Sequence, residues 1–218
     1  NCLSVLGAEY EIDGSTVKIG GISPDKAIKC AELFCNESGS TLRFLIPLCL
    51  LFGQKITLKG TERLMSRSLA VYKDMCLSQG IEFTEDKESV TVCGKLRPGK
   101  YSVRGDVSSQ FISGLMFALP LLENDSIIDI TGAIESGSYL GMTVKALADF
   151  GIRISRTDEH TVFIKGNQTY KPRTLCVEGD YSNAAFLEAF NSVGGNVAVT
   201  GLKKDTCQGD AVYRKLFG

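Results

Sequence analysis

Histidine and tryptophan are nearly missing from the 218-residue chain, which has one His, His160, and no Trp. A Ser-His-Asp triad, a Cys-His dyad or a His-rich zinc site would therefore have to include His160. This residue follows Asp158 and Glu159 and precedes an apolar, strand-like stretch, so we expect it in a hairpin turn without a catalytic role. Any chemistry must then come from Arg, Lys, Ser, Gln or carboxylate side chains.

The chain also lacks an excess of charge of either sign. Its 24 Lys and Arg residues against 25 Asp and Glu residues leave a formal net charge of −1. Binding to nucleic acid or to an anionic membrane surface calls for a clustered basic excess. No apolar run reaches the ~18 residues that a membrane-spanning helix needs. We therefore expect a soluble, cytoplasmic protein with neither a nucleic-acid nor a membrane partner.

The eight cysteines include no CxxC pair. A chain of this length does not need a disulfide framework, and most of the cysteines stand in apolar runs, where a reduced thiol behaves as a small hydrophobic side chain. A reducing compartment is the expected setting. No cluster of carboxylates has the spacing of metal ligands, so we expect no metal site.

An internal repeat of about 70 residues organises the sequence. Four glycines mark its period, each after an apolar, helix-like stretch: Gly7, Gly80, Gly151 and Gly218. Between them the same signals recur in one order: a short strand, a polar turn with Gly, Asp and Ser, an apolar helix, a strand that ends on Gly, a second helix and a hairpin. The repeating unit is therefore predicted to be βαβαββ.

Two complete units are predicted, over residues 27–94 and 101–166. Residues 1–20 match only the end of a unit and residues 174–218 only the start of one, so we expect both ends to be cut within a repeat. The predicted fold class is α/β, with repeated βαβαββ units related by approximate internal threefold symmetry. The strand, helix and strand predicted for residues 174–201 could fill the place of the missing start of the first unit, in one chain or between two self-associating chains.

A polar turn precedes the first helix of each unit and is the candidate binding element. The turns span residues 36–41, 105–110 and 179–183. Free N–H groups at a helix N-terminus attract anions. Ser108, Ser109 and Gln110 supply more polar groups than one helix cap needs, and Gly39 would let a ligand approach the backbone closely. The alternative is that three serines only cap their helices: Ser40, Ser108 and Ser182.

Arginines near these turns supply positive charge. Arg43 lies one helical turn after Gly39, while Arg63 and Arg67 lie four residues apart, which predicts that they share a face of the next helix. A guanidinium group matches the geometry of carboxylate or phosphate, although a solvated surface position is the alternative for each Arg. Together with the hydroxyl groups of residues 136–139, these features predict a pocket for a small, oxygen-rich, anionic substrate.

Five polar segments carry a resemblance to a known family: residues 36–44, 105–111, 136–143, 178–182 and 208–210. In this order they resemble the 5-enolpyruvylshikimate-3-phosphate synthase (3-phosphoshikimate 1-carboxyvinyltransferase) family. The resemblance implies transfer of the enolpyruvyl group of phosphoenolpyruvate to shikimate 3-phosphate, with release of inorganic phosphate, on the route to chorismate and the aromatic amino acids. It implies no cofactor. It also implies two domains, each of three βαβαββ units.

The resemblance also implies binding roles for individual residues. Those for shikimate 3-phosphate are Ser108, Ser109, Gln110, Ser136 and Tyr139. Those for phosphoenolpyruvate are Gly39, Arg67 and Gln110. Arg43 would support the Gly39 turn.

The implied domain arrangement places residues 1–178 in an N-terminal-half domain that lacks the start of its first unit, and residues 179–218 at the start of an incomplete second domain. The family's proton-transfer groups lie on the second domain, so no catalytic residue is expected in this chain. We expect it to bind substrate weakly and to be inactive alone, whereas the complete enzyme should be a monomer.

Two departures from the family pattern leave alternatives open. The family's opening Lys-Ser and Arg motif is absent, and Ser138 stands where the family usually has Pro. One alternative is a domain like that of UDP-N-acetylglucosamine enolpyruvyl transferase, although its reactive Cys loop has no counterpart here. The other is a noncatalytic repeat domain whose serine turns are only helix caps.

Overall fold

A computed structural model of the chain describes residues 1–23, 31–134 and 137–216. The first of these ranges contains α1 (Cys2–Val5) and a hairpin of β1 (Tyr10–Asp13) and β2 (Thr16–Ile19). The next unit comprises β3 (Ala31–Phe34), α2 (Gly39–Cys49), β4 (Ile56–Lys59), α3 (Glu62–Met65), α4 (Ala70–Ser78), β5 (Glu82–Glu85) and β6 (Ser89–Cys93).

A second unit of the same kind follows. It comprises β7 (Lys100–Arg104), α5 (Ser109–Ala118), a 3₁₀ turn (Leu119–Leu121), β8 (Ser126–Thr131), α6 (Gly137–Asp149), β9 (Ile154–Arg156) and β10 (Thr161–Ile164). The chain then forms α7 (Tyr181–Ser192), a 3₁₀ turn (Gly209–Val212) and α8 (Tyr213–Leu216). The predicted α/β class and the βαβαββ order of the two central units are confirmed.

Each of the two units forms its own four-stranded sheet, and the two sheets have the same topology. Their strand orders are β3-β4-β6-β5 and β7-β8-β10-β9. In each sheet the first two strands are parallel and the hairpin adds two antiparallel pairs. A helix that connects two parallel strands starts where the first strand ends. The N-termini of α2 and α5 therefore occupy corresponding positions in the two units, next to the two predicted polar turns.

The helices α2 and α5 pack against each other at a crossing that involves a proline. Pro47 lies inside α2 and has no N–H to donate to the carbonyl oxygen of Arg43, four residues earlier. The hydroxyl of Tyr72, a fully buried residue of α4, donates to that oxygen at 2.8 Å and lies 3.0 Å from the carbonyl oxygen of Phe111 in α5. Gly114 makes this approach possible, because a Cβ built there would lie 2.5 Å from the Arg43 carbonyl oxygen.

The hairpin of β1 and β2 has one apolar and one charged face. Its register places Tyr10 opposite Ile19 and Ile12 opposite Val17, so all four side chains share a face, and each is more than half exposed. The opposite face carries the Lys18–Glu11 ion pair at 3.3 Å. No strand in the described part of the chain pairs with this hairpin.

The expectation that residues 174–201 fill the place of the missing start of the first unit within one chain is wrong. The helix α7 forms as predicted, but the flanking residues 174–178 and 197–201 form no strands. A strand needs a ladder partner for its backbone groups, and the described structure offers these segments none. Instead, Tyr181 and Ala184 of α7 form a small cluster with Tyr213.

His160 lies in the turn between β9 and β10, as predicted, and is exposed. Its Nδ1 lies 3.0 Å from the carbonyl oxygen of Ile130, so the ring packs beside the neighbouring strand β8. None of the helices within residues 1–23, 31–134 and 137–216 is long and apolar enough to cross a membrane.

The cysteines of residues 1–23, 31–134 and 137–216 are all free thiols. Cys35, Cys49 and Cys76 are buried. Burial raises the pKa of the Cys76 thiol to about 12, and burial together with the neighbouring Cys2 thiol raises the pKa of Cys35 to about 12. Cys30 lies outside the described residues.

Candidate functional site

The N-termini of α2 and α5 meet through their side chains. Gln110 of α5 accepts a hydrogen bond from Arg43 of α2 at 2.8 Å and donates one to Ser40 at 2.8 Å. Each helix N-terminus presents backbone N–H groups that its own helix does not use, and the positive end of a helix dipole. Two such ends side by side form a favourable place for an anion.

Gly39 lies at the centre of this arrangement. A Cβ built on Gly39 would lie 3.1 Å from Nη1 of Arg67, 3.6 Å from Nη1 of Arg43 and 3.6 Å from Oε1 of Gln110. The missing side chain therefore leaves a small space bounded by two guanidinium groups and an amide. The structure brings together four residues singled out from the sequence, and it does so around the backbone of Gly39.

No carboxylate among the described residues pairs with either guanidinium group. No salt bridge in the described structure involves Arg43 or Arg67. Arg43 is half-buried with its guanidinium 4.8 Å from the ring centre of Phe111, and its Nε is buried without a hydrogen-bond partner among the described residues. Burial lowers the pKa of Arg43, and the positive charge of Arg67 lowers it further. A bound anion would relieve this repulsion between cations.

Arg67 does not occupy the position predicted for it. The helix α3 ends at Met65, and Arg67 lies in the turn that follows, where its N–H donates to the carbonyl oxygen of Leu64 at 3.1 Å. The prediction that Arg63 and Arg67 share one face of a helix is therefore wrong. The early end of the helix allows Arg67 to reach Gly39, whereas Arg63 is an exposed residue of α3.

Of the three serines considered as helix caps, only one caps its helix. Ser108 caps α5 by accepting from the N–H of Gln110 at 3.3 Å. The cap of α2 is Ser38, which accepts from the N–H of Thr41 at 3.2 Å, and the cap of α7 is Asp180, which accepts from the N–H of Ser182 at 2.8 Å. Ser40 and Ser182 are therefore not caps, and the alternative holds only for Ser108.

This distinction predicts different effects for two neighbouring serines. We expect Ser38→Ala to lower the free energy of unfolding by about 1 kcal/mol, because α2 loses its N-cap acceptor. We expect Ser40→Ala to change it by less than about half as much, because that hydroxyl accepts from the Gln110 amide and does not cap α2. Urea unfolding followed by circular dichroism measures both values. Equal losses at the two positions would contradict the assignment of the cap to Ser38.

Tyr139 lies in the first turn of α6 and donates its hydroxyl proton to Oδ2 of Asp210 at 3.0 Å. Ser136, the residue predicted beside it, lies outside the described residues. A buried hydroxyl pair connects this turn to α5: Ser113 and Thr143 lie 2.7 Å apart, and Thr143 donates to the carbonyl oxygen of Tyr139 at 3.0 Å. A side-chain hydrogen bond thus connects α5 and α6 one turn beyond Tyr139.

Sequence reasoning assigned no role to Asp210 or to Gln208. Both belong to a segment that carried the resemblance, residues 208–210, and the convergence of Tyr139 and Ser182 on the Asp210 carboxylate is a long-range contact. The sequence signal that could have identified Asp210 is the Gln-Gly-Asp order itself, because it places a carboxylate acceptor directly after a glycine that permits close packing.

Comparison with known proteins identifies relatives of the whole chain. The family model described as EPSP synthase (3-phosphoshikimate 1-carboxyvinyltransferase) matches residues 1–217. A curated protein of Clostridium kluyveri named 3-phosphoshikimate 1-carboxyvinyltransferase is 43% identical over 212 residues, which cover 96% of this chain and 50% of the relative. One of Clostridioides difficile with the same name is 40% identical over 220 residues, with the same coverage. The chain spans about half the length of these relatives.

The fold is also similar to a solved structure. EPSP synthase from Acinetobacter baumannii superposes with a TM-score of 0.72 and 19% sequence identity, over 94% of this chain and 47% of that protein. At this level of identity the likeness concerns the fold alone, and it agrees with the α/β architecture of the two units.

Proposed function

The chain belongs to the EPSP synthase family, and on that premise we propose that it supplies part of the substrate site of a 3-phosphoshikimate 1-carboxyvinyltransferase. In the proposed reaction, the bond between C2 of phosphoenolpyruvate and its phosphate oxygen breaks. A bond forms between C2 and the 5-hydroxyl oxygen of shikimate 3-phosphate. The hydroxyl proton leaves with the inorganic phosphate, so atoms and charge balance. The product leads to chorismate and the aromatic amino acids.

The observation that carries the proposal is the pair of guanidinium groups around Gly39. Arg67 and Arg43 both lie within 3.6 Å of the point that a Gly39 side chain would occupy, and neither forms a salt bridge with a described carboxylate. Phosphoenolpyruvate carries a phosphate and a carboxylate, both of which guanidinium groups and helix N-termini bind well. We assign Gly39 and Arg67 to this substrate, with Arg43 positioning Gln110 beside it.

The second substrate fits the adjoining first turns of α5 and α6. Shikimate 3-phosphate presents a phosphate and hydroxyl groups, and we assign it to Ser108, Ser109, Gln110, Ser136 and Tyr139. Ser108 to Gln110 are only partly buried, and Tyr139 is 46% exposed, so a ligand can reach them. Gln110 joins the two parts of the site, because its amide already bridges Arg43 and Ser40.

Turnover requires groups that this half of the relatives' length does not supply. We propose that residues 1–178 form most of one domain, that residues 179–218 begin a second, and that proton transfer and closure over the substrates depend on the remainder of a longer protein. A site that closes only when two domains meet loses most of its rate when one is missing. The chain alone is therefore a weak binder without activity, and we place the complete enzyme in the cytoplasm.

Calorimetric titration of the 218-residue chain tests this proposal. We expect a millimolar Kd for shikimate 3-phosphate, no heat with UDP-N-acetylglucosamine as the matched control ligand, and no phosphate release when phosphoenolpyruvate is added. Silence at millimolar shikimate 3-phosphate would contradict the binding role. Binding of the nucleotide sugar instead would favour the other enolpyruvyl transferase, and phosphate release would contradict the inactivity of the chain.

A further inference from the structure

Residues 208–210 form a turn that contacts the starts of two helices. Gln208 donates through Nε2 to the carbonyl oxygen of Gly179 at 2.9 Å and accepts through Oε1 from the N–H of Tyr181 at 2.9 Å. Both contacts are to backbone atoms at the N-terminus of α7. The side chain of Gln208 therefore holds this turn against the N-terminus of α7, and it does so independently of the side chains at positions 179 and 181.

Gly209 brings the same turn against the start of α6. A Cβ built on Gly209 would lie 2.5 Å from Oγ of Ser138 and 2.7 Å from its Cβ, so no other residue fits at this position without moving the helix end. Ser138 directly precedes Tyr139. The turn is thus packed against the segment that carries a proposed ligand of shikimate 3-phosphate.

Asp210 completes the connection. Its Oδ2 accepts a hydrogen bond from the Tyr139 hydroxyl at 3.0 Å and another from the Ser182 hydroxyl at 2.5 Å. Each hydroxyl has one proton, and both protons are directed to this oxygen. The hydrogen bond to Asp210 raises the pKa of Tyr139, and partial burial adds to the rise. Hydrogen bonds to an ionised carboxylate are stronger than those between neutral groups.

An aromatic side chain held in one rotamer loses less conformational freedom when a ligand arrives. Tyr139 has its hydroxyl end bound to Asp210, while its backbone carbonyl accepts from Thr143 inside α6. Its ring is still about half exposed. The phenol is therefore oriented before any ligand binds, and the exposed part of the ring is available for contact.

We propose that Asp210 is a positioning residue for the shikimate 3-phosphate site. Asp210 holds Tyr139 in its binding orientation and connects that site to the N-terminus of α7 through Ser182. This inference rests on the proposed function. It implies that ligand affinity depends on residues 208–210, although they follow Tyr139 by about 70 residues and are not among the proposed ligand-binding residues.

A double-mutant cycle tests the proposal in the 218-residue chain. We expect Asp210→Ala and Tyr139→Phe each to weaken shikimate 3-phosphate binding about fivefold to tenfold, and the double variant to weaken it no further, because all three variants lose the Tyr139–Asp210 hydrogen bond. Asp205→Ala is the matched control, because it removes an exposed carboxylate five residues before Asp210, and it should leave the Kd unchanged. Asp210→Asn keeps an oxygen acceptor and should restore binding to within about twofold.

A spectroscopic titration separates positioning from a merely structural effect. The ultraviolet difference between the parent chain and Tyr139→Phe isolates the ionisation of this phenol. We expect Asp210→Ala to move that ionisation to lower pH. Losses that add in the double variant, or a Tyr139 ionisation that Asp210→Ala leaves in place, would overturn the proposal. Absence of shikimate 3-phosphate binding by the parent chain overturns the proposed function, whereas binding that Asp210→Ala leaves unchanged overturns the positioning role alone.

Discussion

Replacing Gly114 by alanine should lower the free energy of unfolding by about 3 kcal/mol, although alanine is normally the better helix former by about 1 kcal/mol. The added methyl group would lie 2.5 Å from the Arg43 carbonyl oxygen and closer still to the Tyr72 hydroxyl. Because Tyr72 is fully buried and Pro47 cannot donate to that carbonyl, the displaced groups find no other partner. Thermal unfolding should show a midpoint lower by roughly 6–12 °C.

Gly141 provides the control for Gly114→Ala. It also lies inside a long helix, α6, but it is exposed and a Cβ built there meets nothing within 4 Å. Gly141→Ala should therefore raise the free energy of unfolding by up to about 1 kcal/mol. A similar gain for Gly114→Ala would mean that α2 and α5 do not approach as closely as the structure shows.

Removing the guanidinium of Arg67 should abolish most of the affinity for phosphoenolpyruvate. A hydrogen bond between charged partners contributes about 2–3 kcal/mol, so we expect Arg67→Ala to raise the Kd by roughly 30- to 150-fold. Stability should not fall, because Arg67 is exposed, forms no salt bridge with a described residue and repels Arg43. Titration by nuclear magnetic resonance, with shikimate 3-phosphate present, measures the Kd.

Arg63 is the matched control, since it is an exposed arginine on the neighbouring helix α3. Arg63→Ala removes the same charge from the chain and should change the Kd by less than about twofold. An equal loss for both variants would indicate general electrostatic attraction instead of a specific contact. A marked loss of stability in Arg67→Ala would show that this guanidinium has a structural partner.

The fold was predictable from the sequence because its signals are local. The glycines at helix ends, the polar turns and the apolar helices recur in one order, and each reflects the conformation of a few adjacent residues. The failures involve partners that are distant in sequence. Residues 197–201 have a strand-like pattern but no ladder partner among the described residues, and the approach of Tyr72 and Gly114 to the Arg43 carbonyl oxygen depends on how three helices pack together.

In the candidate site, too, local sequence signals were predictable and contacts between distant residues were not. Gly39, Arg43, Arg67 and Gln110 were identified from the turn pattern and the resemblance, and the structure places them around one point. The prediction that Arg67 lies on a helix was wrong because α3 ends after four residues, a boundary that sequence signals fix poorly. Asp210 was missed because a carboxylate after a glycine is common, and only the folded chain shows the two hydroxyls that it accepts from.

The distribution of thiols allows one chemical measurement to follow the opening of a single unit. Cys35, Cys49 and Cys76 are buried in the first βαβαββ unit, whereas the second unit contains no cysteine. The thiolate is the form that attacks alkylating reagents, so buried thiols with raised pKa values stay unmodified while the unit is closed. Their modification rate therefore reports how often the first unit opens, with the exposed Cys176 as a reference for the reagent. Ligand-dependent protection of these thiols would show how strongly a substrate at the helix N-termini restrains the core beneath it.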